Sequence, residues 1–323
     1  LNEETILSVN NLGVSYFSSG RRLTALDGVS FDLKRGEVLA IVGESGSGKS
    51  TLGLSIMRLL PSSAKVTSGS IKLQGEEILQ AEGSRLNRIR GSKVAMIFQE
   101  PVSYLNPVLK VGDQVAESII LHRNVSKEVA KNHAIEALKK VKIPDPAKVY
   151  NYYPHQLSGG MAQRVCIAIA ISNNPSLLIA DEPTTSLDLT IQAQILHLLK
   201  ELCKEMSMSM LLISHDLRVV SGVADRVLTL YAGRVVEERP VREIFLHPLH
   251  PYTRVLLKSS GMLADGSNIY SPKGSLPDMH SPPQGCRFAP RCPHAFEICS
   301  REPVETRVDE GSRVYCWLYE KDA

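Results

Sequence analysis

Gly43-Glu44-Ser45-Gly46-Ser47-Gly48-Lys49-Ser50-Thr51 is the stretch whose reading decides the fold. It fits the phosphate-binding pattern G-x-x-x-x-G-K-[ST], opened by Gly43 and closed by Lys49-Ser50. Before it, Val38-Leu39-Ala40-Ile41-Val42 is a short apolar run that reads as a buried strand. After it, Leu52, Ile56, Leu59 and Leu60 recur at helical spacing, so a helix is expected over 50–60, ending at Pro61. Strand, glycine loop and helix stand in the order that phosphate binding needs. Gly43, Gly46 and Gly48 let successive backbone N–H groups turn inward, with Ser45, Ser47 and Thr51 between and beside them, and the helix N-terminus adds partial positive charge. Lys49 is expected to reach the outer phosphates, and the Ser50 hydroxyl to sit on Mg²⁺.

The surroundings of that loop limit what the chain can be. With 323 residues it can bury one large α/β domain and a smaller one. A formal net charge of +3 is too small to argue for nucleic acid or an anionic membrane as partner. One of the longest apolar runs, Val165 to Ile171, is seven residues, far short of the roughly 18 a membrane span needs. The acidic N-terminal Leu-Asn-Glu-Glu-Thr lacks the layout of a signal peptide. A cytoplasmic chain is expected, with any membrane role exercised through a partner.

Further along, strand ends collect polar groups. Residues 6–16 and 29–33 read as strands separated by turns at Ser18-Ser-Gly20 and Asp27-Gly28. Tyr16 is either core or a face for a nucleobase. Val94 to Phe98 is a buried strand with Gln99 at its carboxyl end, where ligands of open α/β sheets gather. From about residue 101 to 174 the texture is helical. Leu157-Ser158-Gly159-Gly160 opens one of these helices and makes either a second phosphate site or an ordinary helix start. Leu177 to Glu182 is a strand ending in two carboxylates. Beside a phosphate loop, Asp181 is placed to serve Mg²⁺ and Glu182 to polarise an attacking water. Asp188 suits the cap of the next helix, whose apolar face is Ile191, Ile195, Leu198, Leu199 and Leu202. Met210 to Ile213 is again a strand, followed by Ser214 and His215.

In this order the residues resemble an ABC-transporter ATPase over about residues 5–240. Gly43–Ser50 matches the Walker A loop, Gln99 the Q-loop, Leu157–Gly160 the signature, Asp181-Glu182 the Walker B end, Ser186-Leu187-Asp188 the D-loop and His215 the H-loop. The Leu-Ser-Gly-Gly signature between the two Walker motifs is the specific feature. Within the family, Gly43-Glu-Ser-Gly-Ser-Gly-Lys-Ser50, Phe98-Gln-Glu-Pro101, Tyr153-Pro-His-Gln-Leu-Ser-Gly-Gly-Met161 and His247-Pro-Leu-His-Pro-Tyr-Thr253 look like the ATP-binding subunits of dipeptide/oligopeptide importers. Ala162 departs from the arginine common there, beside the signature glycines rather than among the phosphate contacts. Nickel and oligosaccharide importers use very similar subunits.

The resemblance implies an α/β P-loop fold with a mixed sheet core, an antiparallel β subdomain, a helical subdomain and a small cysteine-containing C-terminal extension, divided as 1–240 and 241–323. It implies ATP hydrolysis by two such domains closed head to tail. Tyr16 stacks on adenine. Lys49, Ser50 and the loop amides hold the triphosphate, and the partner's signature (the counterpart of Ser158, Gly159 and Gly160) caps it, with Asp188 nearby. Ser50, Gln99 and Asp181 serve Mg²⁺, Glu182 is the general base, and His215 contacts the γ-phosphate. Implied partners are a second, related ATPase chain or another copy, two membrane permeases at the cytoplasmic face and, indirectly, an extracytoplasmic substrate-binding protein, with no nucleic acid.

Six cysteines divide into Cys166 and Cys203, set in apolar helical patterns, and Cys286, Cys292, Cys299 and Cys316 in a proline-rich tail. The tail intervals of five, six and sixteen residues match neither zinc-ribbon nor common ferredoxin spacing. Four thiolates suit zinc and iron–sulfur equally. The resemblance implies a 4Fe-4S cluster, since dipeptide-type importer ATPases share this tail and some ligate one there.

Overall fold

The structure, a computed structural model, describes residues 4–18, 20–185, 187–262 and 274–320. The chain lays down β1 (Thr5–Ser18), β2 (Arg21–Lys34) and β3 (Val38–Val42), then α1 (Lys49–Ile56), β4 (Ala64–Leu73), β5 (Glu76–Glu77) and α2 (Gly83–Ile89). β6 (Val94–Ile97) leads into α3 (Val111–Arg123), α4 (Lys127–Lys140), α5 (Pro146–Val149) and α6 (Gly159–Ile171). There follow β7 (Leu177–Asp181), α7 (Leu189–Met206), β8 (Ser209–Ser214), α8 (Leu217–Ser221), β9 (Arg226–Tyr231) and β10 (Arg234–Pro240). The C-terminal part adds α9 (Val241–Leu246), α10 (Pro251–Ser259), β11 (Thr306–Asp309) and β12 (Ser312–Val314).

These elements form two compact units. The first comprises Leu1–Ile6, Lys34–Glu37 and Gln80–Leu211; the second comprises Leu7–Leu33, Val38–Leu79 and Leu212–Ala323. In the first, β6 and β7 pair in parallel from Val94↔Leu177 to Ile97↔Ala180. Both strands are buried throughout, which is why they read as unbroken apolar runs rather than alternating ones. Helices α3, α4 and α6 pack on one another. The buried side of α4 is Ala130, Ala134, Ala137 and Leu138, and the three alanines let helices approach closely. Ser126 caps α4 through its side chain, and Asn124 ends α3 in the left-handed region.

In the second unit, one antiparallel sheet runs β2-β1-β4-β5. The other is mixed, with the order β11-β12-β10-β9-β3: β3 pairs with β9 in parallel, and the remaining neighbours are antiparallel. The mixed core, the antiparallel sheet and the group of helices are therefore all present. One expectation changes. Helix α1 stops at Ile56 rather than running to residue 60, because Arg58 takes φ +52° and the Leu59 and Arg58 amides turn back to the carbonyls of Leu54 and Ser55. This is a Schellman closure with arginine where glycine is usual, so the sequence carries no glycine to signal it. The C-terminal part also supplies the β11–β12 hairpin, which extends β10 through Glu237↔Val314 and Glu238↔Arg313.

Candidate nucleotide-binding site

In the second unit, β3 ends at Val42 and the glycine loop begins. Gly43, Gly46 and Gly48 all have positive φ. At Gly48, φ is +105°, and a Cβ would lie 2.6 Å from the Ala25 carbonyl oxygen and 2.7 Å from Leu26 Cδ2. A side chain there fails on conformation and on space together. The loop closes on α1, where Lys49 is buried. Its ammonium donates to the carbonyl oxygens of Gly43, at 2.7 Å, and Glu44, at 2.9 Å. Ser47 is buried, and among the described residues its Oγ has no hydrogen-bond partner. A buried hydroxyl without a partner is costly, and phosphate oxygens are acceptors that would satisfy it. Ser45, Gly46 and Ser50 are exposed. A cradle closed to side chains, an orphaned hydroxyl and a cation at a helix start suit a polyphosphate.

Tyr16, on β1, is half-buried, and its hydroxyl lies 3.2 Å from Thr51 Oγ1 on α1. The sequence alone leaves this aromatic as core or stacking face; the fold sets it beside the helix that starts the loop. His215 is exposed directly after β8, and Asp216 caps α8 through an acceptor bond from the Arg218 amide.

In the first unit, Asp181 is buried at the end of β7. Glu182 follows it at φ +47°, a left-handed conformation that costs a non-glycine residue about 1–2 kcal/mol and that recurs at functional sites. Its carboxylate meets donors from neighbouring elements. Glu182 Oε2 accepts from Gln99 Nε2 at 3.3 Å and from Thr185 Oγ1 at 3.3 Å. Gln99 itself is exposed after β6. Parallel pairing of β6 and β7 brings the two strand ends together, so this contact joins residues 83 positions apart.

Ser158 is the N-cap of α6, accepting from the Met161 amide, and Gly159 is exposed at the helix start. At Gly160 a Cβ would lie 3.1 Å from Ile191 Cγ2, a tight contact with a side chain of α7. Asp188 caps α7 by accepting from the Ile191 amide at 3.0 Å. Ser186 lies outside the described residues. Sequence reasoning missed Gln163, which is buried on α6 and donates to the Pro183 carbonyl at 2.6 Å, tying the signature helix to the turn after Glu182. Its position one turn beyond Gly159-Gly160 was the only available signal.

The His247-Pro-Leu-His-Pro-Tyr-Thr253 stretch also finds a role. The buried Glu237 carboxylate accepts from the Leu249 and His250 amides, at 2.8 and 2.9 Å, and fixes the approach to α10. Burial first, then Arg254, pushes the His250 imidazole down to about 3, so it is neutral. Its Nδ1 accepts from the Tyr252 amide at 3.0 Å and caps the helix, with Pro251 following as the first helical residue. Tyr252 is thereby driven into the core, where its hydroxyl accepts from the Glu44 amide at 2.7 Å.

Cys203 is buried as expected, while burial pushes the partly covered Cys166 thiol up to about 12. In the tail, Cys316 is pushed up to about 11, chiefly by burial and then by Cys286, Cys292 and Cys299, so the four sulfurs share one neighbourhood. Among the described residues, however, no group of three or more His, Cys, Asp or Glu side chains is arranged to hold a metal ion. The arrangement of the described residues therefore lends no support to the iron–sulfur cluster expected there. Cys286 and Cys292 instead pack against the apolar cluster of Tyr231, Tyr252, Val255 and Phe288, where a neutral thiol behaves as a small hydrophobe. Among the described residues, no helix is long and apolar enough to cross a membrane.

Comparison with known proteins places this geometry. The ABC transporter family profile matches residues 26–185, and that of the oligopeptide/dipeptide transporter C-terminal region matches residues 236–299. The oligopeptide transport ATP-binding protein AppD of Bacillus subtilis is 49% identical over 322 residues, covering 98% of each chain. The oligopeptide transport ATP-binding protein OppD of Escherichia coli is 44% identical over 315 residues, covering 97% of this chain and 93% of its own. Among solved structures, the dimeric post-hydrolysis state of the ATP-binding cassette MJ0796 bound to ADP and Pi is similar with a TM-score of 0.65. It is 32% identical, and the match covers 73% of this chain and 99% of that one.

Proposed function

Because the chain belongs to the ABC-transporter ATPases, in their oligopeptide/dipeptide branch, we propose that it is the ATP-binding and hydrolysing subunit that energises import of dipeptides or oligopeptides through a membrane transporter. The observation that carries the enzymatic part is Glu182, strained into the left-handed region directly after a buried strand with its carboxylate offered to Gln99. The cargo class rests on the relatives, whose names specify oligopeptide and dipeptide transport.

In this reading Tyr16 faces the adenine, and the loop from Gly43 to Thr51 holds the triphosphate through its amides, Ser47 Oγ and the Lys49 ammonium. Lys49 must turn from the carbonyls of Gly43 and Glu44 to the phosphates, exchanging neutral acceptors for anionic ones. Ser50, Gln99 and Asp181 are the residues assigned to Mg²⁺, which when bound neutralises charge on the phosphate oxygens. Glu182 takes the proton of the attacking water, and His215 contacts the γ-phosphate.

Ser158, Gly159 and Gly160, with Asp188 beside them, cap the nucleotide of a second cassette. The solved cassette MJ0796 is dimeric, which supports such pairing. We assign the second cassette to a different, related chain, the span 1–240 to the ATPase and 241–323 to the extension. The helices after Gln99 contact the permeases at the cytoplasmic face of the membrane. No step runs through the tail cysteines.

The test is uptake of a labelled peptide into vesicles that carry the permeases and the binding protein, with and without this chain. ATP-dependent uptake that requires the chain is expected. Hydrolysis that peptide-loaded binding protein does not stimulate overturns the cargo class, and absence of hydrolysis overturns the whole reading.

A further inference from the structure

We propose that Arg291, in the C-terminal tail, is a positioning residue for the nucleotide loop, clamping it through Glu44. The inference rests on the reading of residues 43–51 as the ATP site. Arg291 and Glu44 form a two-pronged ion pair, Nη1 to Oε2 and Nη2 to Oε1, each at 2.9 Å. The pair is well covered: side-chain exposure is 6% for Arg291 and 23% for Glu44. Planar guanidinium–carboxylate pairs of this kind fix orientation as well as distance, and low exposure limits screening by water and salt.

The arginine is itself held. Its Nη1 also donates to the Tyr231 hydroxyl at 3.2 Å, and the guanidinium lies over the Tyr231 and Phe288 rings at 5.8 and 5.9 Å. Those rings belong to the apolar cluster that seats α10 and the tail. The tail also reaches the loop at Gly46, where a Cβ would stand 3.4 Å from Leu276.

Glu44 is therefore gripped at three points. Its carboxylate is held by Arg291, its amide by the Tyr252 hydroxyl, and its carbonyl by Lys49. The third grip is the one nucleotide binding takes away, since the Lys49 ammonium is wanted by the phosphates. Glycines at positions 43, 46 and 48 make the loop entropically expensive to hold in one shape. Two anchors on Glu44 that do not depend on Lys49 keep the loop formed while the ammonium changes partners, and such preorganisation lowers the free-energy cost of binding. Nucleotide binding and seating of the tail are then linked, each favouring the other. A lysine at 291 keeps the charge but lacks the fork.

The test compares ATP affinity, KM and kcat for the wild-type full-length chain, R291A, R291K, E44Q and the double variant E44Q/R291A, with thermal melting alongside. R291A and E44Q are expected to raise the ATP Kd and KM about tenfold, equivalent to about 1.4 kcal/mol, with kcat within about twofold. R291K falls between them and wild type, and the double variant is no worse than either single one, because both remove the same contact. Wild-type KM in folded R291A, or additive losses in the double variant, overturns the proposal. Should R291A fail to fold, R291K and E44Q decide by the same criteria. A wild-type chain that neither binds nor hydrolyses ATP overturns the ATPase reading instead, and so separates the two failures.

Discussion

Glu182→Gln separates the chemistry from the fold. The replacement is nearly isosteric and shares the left-handed strain at φ +47°, so the backbone has no new reason to move. The two donors on Oε2, Gln99 Nε2 and Thr185 Oγ1, can both be met by the glutamine amide oxygen. Stability should change by less than about 1 kcal/mol, the net worth of one hydrogen bond. What is lost is the carboxylate that takes a proton from water. Removing a general base lowers the rate by roughly 10²–10⁴-fold, or about 3–5 kcal/mol of barrier. Single-turnover phosphate release from labelled ATP reads the chemistry, and equilibrium nucleotide titration of the same preparation reads binding. At least about a hundredfold slower release with retained ATP affinity is expected. Release within about threefold of wild type would refute the assignment of Glu182 as base, and parallel loss of affinity would mean that the carboxylate shapes the site rather than reacting in it.

Gly48→Ala forces a Cβ towards the Ala25 carbonyl and Leu26 at φ +105°, so about 1–2 kcal/mol of backbone strain adds to about 1–3 of overpacking. Thermal melting should drop and nucleotide titration should fail; an unchanged melt with intact binding counts against the cradle. Gln163→Leu leaves the Pro183 carbonyl buried without its donor, at a cost of about 1–3 kcal/mol, read as a lower denaturant midpoint. His250 tests the pH dependence. Its folded value of about 3 lies below the unfolded 6.5, so the unfolded chain takes up the proton first as pH falls. The stability it contributes is therefore present above about pH 6.5 and is lost towards pH 3, at up to about 1.4 kcal/mol per pH unit. His250→Asn keeps an acceptor at the helix cap and removes the titration, so the acid-side slope of melting temperature should flatten, and a slope unchanged from wild type would place the acid lability elsewhere.

The parts of the site that were legible in the sequence are those whose chemistry is local. Strand, glycine loop and lysine lie within fourteen residues of one another, and the backbone conformation the phosphates need restricts the residue types directly. The cap at Asp188 was readable for the same reason, because it bonds an amide three residues on. Helix α1 was misjudged at its end because left-handed closure by Arg58 leaves no mark where glycine would have left one. For the tail thiols, residue type reports ligand preference and not arrangement.

Sequence alone, then, displayed the phosphate-loop pattern at Gly43–Thr51, a carboxylate pair after a buried strand and the resemblance to a particular class of ATPase. Tertiary structure decided what distant residues do for that chemistry. The pairing of β6 with β7 brings Gln99 to Glu182, the core seating of Phe288 and Tyr252 carries Arg291 to Glu44, and β1 sets Tyr16 beside Thr51. The physical reason is range. Backbone conformation and capping act over three or four residues and leave their imprint on neighbouring letters, whereas ion pairs and ring contacts depend on positions in space that only the packed core assigns.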